Sequence, residues 1–264
     1  MTATTPVDPG AEPIVRSVAH VMGMPISLAL RGRHAADEAG RSAWIEVMAS
    51  LREADLVFST YRPESVISRL GRGEIGPGDC PPEVAEVLAL GERATEQSGG
   101  AFAVRRPGPD GAPVLDPSGV VKGWAVERAA AVLRALPDTD FCLSAGGDLT
   151  CRADRPGAPA WRIGIEDPFD PSRVLAVVPV RTGAVATSGT AHRGTHLVDA
   201  RTGRVPAAVA AVTVVGGDLT WADIDATAAY ALGPEAAGWL STRPGRTGLV
   251  VWRDGTRTLV GEPG

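Results

Sequence analysis

The sequence predicts an α+β domain, on three observations: helical periodicity dominates its first half, short β-like runs dominate its second, and the two are not alternated as regular βαβ units would require. The 264 residues suit one large domain, and length alone also allows two small ones. Residues 1–13 carry Pro, Gly, Thr and acids without an apolar run and are expected to form a disordered tail, with the folded domain over 14–264.

Each element has its own signal. Ile14–Leu30 reads as strand broken near Met22-Gly23-Met24-Pro25. Ala35 to about Asp55 is a helix whose apolar stripe is Trp44, Val47, Met48 and Leu51. Pro82–Ser98 is a second helix, opened by Pro-Pro-Glu and closed by Gly99-Gly100, with Val84, Val87, Leu88 and Ala94 inward. After a Pro/Gly loop at Arg106–Pro113, a third helix runs from about Lys122 to Leu136 and buries Val126, Ala129, Ala130 and Leu133. Phe141–Ser144, Trp161–Ile165, Val174–Arg181 and Ala211–Val215 are short strand-like runs. Trp221–Leu232 returns to helix, Pro234–Leu240 is a short successor, and Leu249–Val260, centred on Asp254-Gly255, is a hairpin. Gly-Gly-Asp-Leu-Thr occurs at both 146–150 and 216–220, each after an apolar run; five residues with unmatched flanks indicate reuse of one type of strand exit or chance.

Composition narrows the function classes. With 44% apolar and 22% charged residues the chain reads as a soluble globular protein, and its net charge of −5 argues against a general nucleic-acid or acidic-membrane binder. Cys80, Cys142 and Cys151 are odd in number and lack metal-binding spacing, so reduced thiols are expected. No basic start followed by an apolar run marks a secretory signal, and no stretch approaches the roughly 20 apolar residues of a spanning helix, so a cytoplasmic location without stable membrane insertion is expected.

Four regions carry chemistry. Asp223 and Thr227 are four apart on the predicted helix 221–232, so one carboxylate and one hydroxyl share a face. That is a partial hard-oxygen site, suited to magnesium, which takes few protein ligands; the same acid also suits a first helical turn stabilised by the macrodipole. Asp116-Pro117-Ser118-Gly119 leads towards Lys122, so free amides and a lysine could approach phosphate oxygens, although an ordinary Pro/Gly helix start reads the same way. Ser144–Asp148, with Gly146-Gly147 at its centre, follows a strand and forms either a concavity of amides or a plain hairpin turn. Thr187-Ser188-Gly189 and Thr195–Gly203 make the fourth region. There His196 titrates near neutrality and could accept a proton from a hydroxyl nucleophile, or could be a solvent-facing loop residue.

These segments occur together in one order. Met22-Gly23-Met24, Phe58–Ser65 with Ser68-Arg69-Leu70, Gly119–Trp124, Gly146-Gly147-Asp148, Thr187-Ser188-Gly189, His196–Gly203 and Ala222–Thr227 resemble the ApbE family of FAD:protein FMN transferases, over about residues 15–255. The resemblance implies a single α+β domain, with a mixed or antiparallel sheet and flanking helices, that binds FAD in a cleft. It implies Mg2+ as cofactor, FAD as substrate and an FMN-accepting protein with a Ser/Thr motif as partner. Its metal ligands map to Asp223, Thr227 and a backbone carbonyl at Gly119. Its flavin and nucleotide contacts map to Met22, Tyr61, Ser65, Lys122, Gly146, Gly147, Asp148, Ser188 and His196, with His196 and Asp223 as the catalytic pair. The chain departs from the family at Thr195, where a second histidine is usual, and at Met24, Glu127 and Ala200. Two alternatives use the same cleft: an FAD pyrophosphatase that yields FMN and AMP, and a non-catalytic flavin-binding protein.

Overall fold

The break expected at Met22-Gly23 is a two-residue hairpin turn between β1 (Val15–Val21) and β2 (Met24–Gly32). Both turn residues have positive φ, 55° and 70°, the geometry that matches strand twist in a tight hairpin. The computed structural model describes residues 12–107, 113–189 and 197–261. Glu12, assigned by sequence to the tail, ion-pairs with Arg155; residues 1–11 lie outside the described residues.

The chain continues through α1 (Glu38–Phe58), α2 (Val66–Gly71), α3 (Pro82–Gln97), the short pair β3 (Arg105–Pro107) and β4 (Pro113–Leu115), α4 (Ser118–Ala129) and α5 (Ala131–Arg134). Then come β5 (Thr139–Ala145), β6 (Asp148–Arg152), β7 (Trp161–Asp167), β8 (Asp170–Val180), β9 (Thr182–Gly189) and β10 (Val209–Gly216). α6 (Leu219–Leu232), α7 (Ala236–Ser241) and the hairpin β11 (Thr247–Trp252) and β12 (Arg257–Val260) complete it. Eight strands form one sheet in the order β1-β2-β5-β6-β9-β10-β11-β12, and every pairing in it is antiparallel. β7 and β8 form a separate hairpin.

The main core lies between one face of this sheet and the helices. Met24, Ile26, Leu28 and Leu30 alternate inward along β2, while Val47 and Leu51 of α1 and Val126 of α4 are fully or almost fully buried. Burial of each such side chain contributes roughly 1.5–3 kcal/mol. α6 is central: it packs on β9, β10 and α4, and only Trp221 and Thr227 of its residues escape full burial. A helix enclosed on nearly all sides must be apolar all round, which explains its run of alanines. Gly233, with φ 61°, ends it ahead of Pro234.

Three sequence expectations shift. The helix expected from Lys122 begins at Ser118, because the Asp116 carboxylate accepts the Ser118 amide (3.1 Å) at a Pro117 start, and it is interrupted at Ala130. β6 and β9, both central strands, were not expected; Asp148–Arg152 is short and polar, and Thr182–Gly189 is rich in small residues without alternation. The repeated pentapeptide serves two different exits: Gly146-Gly147 turns β5 into β6, whereas Asp218 caps α6 by accepting the Trp221 amide at 3.0 Å. Among the described residues no helix is long and apolar enough to cross a membrane.

Candidate functional site

α4 and α6 cross at Gly123. A Cβ there would stand 2.8 Å from the Leu219 carbonyl oxygen and 2.9 Å from Asp223 Cβ, so only glycine permits this approach. The contact lets the Gly123 amide donate to Asp223 Oδ2 at 3.0 Å. A carbonyl oxygen has two lone pairs, so the Gly119 carbonyl in the first turn of α4 can accept a helical amide and still face a cation. Gly119 is itself wedged against Phe102, whose ring would lie 2.9 Å from an added Cβ.

One residue before Gly123, Lys122 reaches between two carboxylates. Its Nζ lies 3.1 Å from Asp223 Oδ1 and ion-pairs with Asp148 Oδ2. Asp148 opens β6 one residue beyond the last β6–β9 pair, so its Oδ1 accepts the Thr187 amide (2.8 Å) that the ladder no longer serves. Each carboxylate therefore has one oxygen held by a backbone amide and the other by the same ammonium. Both are buried, with side chains 2% exposed, against 18% for Lys122. The Asp223 carboxyl is raised to about 6: burial is the largest cause, Lys122 opposes it and the nearby Asp148 adds to it. For Lys122 burial opposes the charge, but Asp223 and Asp148 outweigh it and raise the ammonium above its ordinary value.

Beside this triad, Ser188 Oγ and Thr227 Oγ1 share a hydrogen bond of 2.9 Å. All these groups line a cleft of about 500 Å³, together with Gly119, Gly146, Gly147 and Tyr61. Tyr61 is 96% exposed, an aromatic ring with one face available at the cleft mouth. Among the described residues no cluster of three or more His, Cys, Asp or Glu could hold a metal. A cation here would rest on few carboxylates plus hydroxyl and carbonyl oxygens, a donor set that fits a hard ion such as magnesium completing its shell with water and phosphate.

Of the residues singled out from sequence, Tyr61, Gly119, Lys122, Gly146, Gly147, Asp148, Ser188, Asp223 and Thr227 meet at this one cleft. Met22 and Ser65 are not among the residues that line it. Met22 is in the β1–β2 turn and packs on the core. Ser65 is 1% exposed, donates to the Ser59 carbonyl (2.7 Å) and accepts the Ser68 amide (3.1 Å) as the N-cap of α2. His196 and Thr195 lie outside the described residues. Asp225, two residues beyond Asp223, does not line the cleft: Arg243 and Arg246 hold it at 3.1 and 2.8 Å. Asp199 pairs locally with Arg201 at 2.9 Å, which keeps its carboxyl below the ordinary range.

Sequence reasoning missed part of the lining. Ile163, Ile165, Glu166 and Pro168 from the β7–β8 hairpin, with Phe102, Arg106 and Leu197, also line the cleft. No local signal marks them, since alternation in β7 says only that Ile163 and Ile165 share a face.

Residues 22–106 and 109–250 match the ApbE family. Among curated proteins, the FAD:protein FMN transferase of Rhodobacter capsulatus is 34% identical over 173 residues, covering 60% of this chain and 32% of that protein. The FAD:protein FMN transferase of Escherichia coli (strain K12) is 28% identical over 151 residues, covering 53% of this chain and 43% of that protein. The matched stretch thus spans less than half the length of either relative. The crystal structure of the ApbE protein from Thermotoga maritima superposes with a TM-score of 0.79 at 19% identity, covering 94% of this chain and 97% of that one. The apo form of the Pseudomonas stutzeri flavinyl transferase ApbE gives 0.79 at 23% identity, covering 96% and 97%. At these identities the superpositions establish the fold, and with the family match across most of its length the chain belongs to the ApbE family.

Proposed function

We propose that this chain transfers FMN from FAD to a threonine or serine hydroxyl of an acceptor protein, with magnesium bound, releasing AMP. The observation that carries the reading is the convergence of Lys122, Asp148, Asp223, Ser188 and Thr227 with Gly146 and Gly147 in one cleft of about 500 Å³. The names of the relatives supply the reaction class.

Attack on phosphorus requires positive charge against crowded phosphate oxygens, and little else from the protein. Asp223 and Thr227, with the Gly119 carbonyl, would hold the magnesium ion. When bound, that ion supplies Lewis-acid neutralisation of the pyrophosphate. Lys122 offers a second positive charge to the same oxygens, and the Gly146 and Gly147 backbone lets a phosphate approach without side-chain obstruction. Tyr61 offers a stacking face for the flavin ring. The acceptor hydroxyl forms the new bond to the FMN-side phosphorus, the bond to AMP breaks, and His196 is our assignment for the group that takes the hydroxyl proton.

The test is incubation of the chain with FAD, magnesium and an FMN-binding acceptor protein, followed by denaturing electrophoresis. Flavin fluorescence on the acceptor band supports the reading. Free FMN and AMP with an unlabelled acceptor would replace it with pyrophosphate hydrolysis, and FAD left intact would replace it with flavin binding alone.

A further inference from the structure

The side-chain oxygens named for the cation, those of Asp223 and Thr227, are already engaged by groups of the chain itself. Asp223 Oδ1 faces the Lys122 ammonium at 3.1 Å, Asp223 Oδ2 accepts the Gly123 amide at 3.0 Å, and Thr227 Oγ1 is bonded to Ser188 at 2.9 Å. The two amide and hydroxyl contacts are neutral and leave lone pairs free. The ammonium is different, because it already supplies positive charge to the one oxygen of Asp223 that no backbone donor holds. It also bridges to Asp148, which is a second buried carboxylate with no other cation against it among the described ion pairs.

We propose that Lys122 is the resident counter-cation of the cleft: it keeps Asp223 closed to a divalent ion until dinucleotide phosphates draw the ammonium away. Two buried carboxylates need a positive partner in the empty cleft, since unpaired charge out of water is strongly unfavourable. One ammonium on a flexible four-carbon stem serves both and can move, which a fixed guanidinium fork does less readily. With phosphate present, the ammonium has a better anion to face, and Asp223 becomes available. Divalent ion and dinucleotide are therefore coupled, each strengthening the other through one side chain. The identity of the phosphate ligand rests on the flavin-transfer reading; the control of cation access by Lys122 does not.

The experiment uses the full chain and Mn2+ as probe, with binding followed by loss of the free-ion electron paramagnetic resonance signal, first without nucleotide. We expect Lys122→Met to bind Mn2+ more tightly than wild type by a factor within the about 5–150-fold span of coupled sites. Lys122→Arg, which keeps the charge, should hold the weak wild-type affinity, and adding Asp223→Asn to Lys122→Met should abolish the gain. Saturating FAD should tighten Mn2+ binding more in wild type than in Lys122→Met. The proposal is overturned if Lys122→Met binds Mn2+ no better than wild type, if Lys122→Arg gains as much, or if the gain survives Asp223→Asn. Should Lys122→Met not fold, the same comparison is made in Asp148→Asn, which removes the second carboxylate: adding Lys122→Met there must tighten Mn2+, and equal affinity refutes the idea. AMP release from FAD by the wild-type chain is measured separately, so failure of the proposed reaction and failure of the lysine's role give different results.

Discussion

Gly123→Ala sets two effects of opposite sign against each other. Helix propensity alone favours alanine by about 1 kcal/mol inside α4. Against it, the new methyl would stand 2.8 Å from the Leu219 carbonyl oxygen and 2.9 Å from Asp223 Cβ, both backbone or backbone-proximal atoms of an enclosed helix. Ordinary contact begins near 3.4 Å, so α4 and α6 must separate by about 0.6 Å. Overpacking of that kind costs roughly 1–3 kcal/mol, and stretching the Gly123 amide bond to the Asp223 carboxylate adds a charged hydrogen bond worth about 1.5–3 kcal/mol. The clash wins, and a net loss of about 1.5–5 kcal/mol is expected after the propensity gain is subtracted. For a chain of this length that lowers Tm by roughly 3–20 °C in a thermal melt. Because the displaced atoms carry Asp223 and Lys122, the proposed transfer of FMN should fall by about 10–100-fold even where the protein remains folded. An alanine variant that melts at or above the wild-type temperature, as propensity alone requires, would refute the close crossing of the two helices.

Other outcomes follow from single contacts. Ser65→Ala removes an N-cap and a buried hydroxyl pair, so it should cost about 1–2 kcal/mol in urea denaturation; a rise in KM for FAD without a loss of stability would instead make Ser65 a ligand contact. Tyr61→Ala should leave Tm within a degree or so, since the ring is exposed, while weakening FAD binding by about 5–150-fold, the range for losing one aromatic stacking platform; fluorescence titration of FAD reads this directly. Burial pushes the Cys142 and Cys151 thiols up to about 12, so at pH 8 only about one in 10⁴ is thiolate and neither should react in the native chain. Ellman titration should therefore find Cys80 first and the other two only after denaturation, or as pH is raised towards 12; rapid reaction of all three at pH 8 would contradict the burial.

Much of the architecture was legible because it rests on local physics. Positive-φ turn residues at Met22-Gly23, the Pro-to-Gly span of α3 and the Asp254-Gly255 hairpin are decided within a few residues. The shared lining of the cleft was legible for a related reason: Asp223 and Thr227 are one helical turn apart, and Lys122 follows its Pro-Ser-Gly start at fixed spacing. What escaped depends on neighbours distant in sequence. β9 is a strand because β6 and β10 flank it, not because Thr182–Gly189 alternates. Asp225 resembles Asp223 in sequence but emerges on another side of α6, where Arg243 and Arg246 come from a later segment. Ser65 has the residue type of a ligand contact and the geometry of a cap, a distinction that only the position of Ser59 and Ser68 resolves.

The account turns on the Asp223–Thr227 face as the place where cation and pyrophosphate meet. A crystal of this chain grown with FAD and Mn2+, measured for anomalous scattering, tests that directly. The expected result is a single strong peak within bonding reach of Asp223 and Thr227, with the pyrophosphate beside it and the Lys122 ammonium turned to phosphate. A peak elsewhere, or FAD seated with its pyrophosphate away from α6, would contradict it.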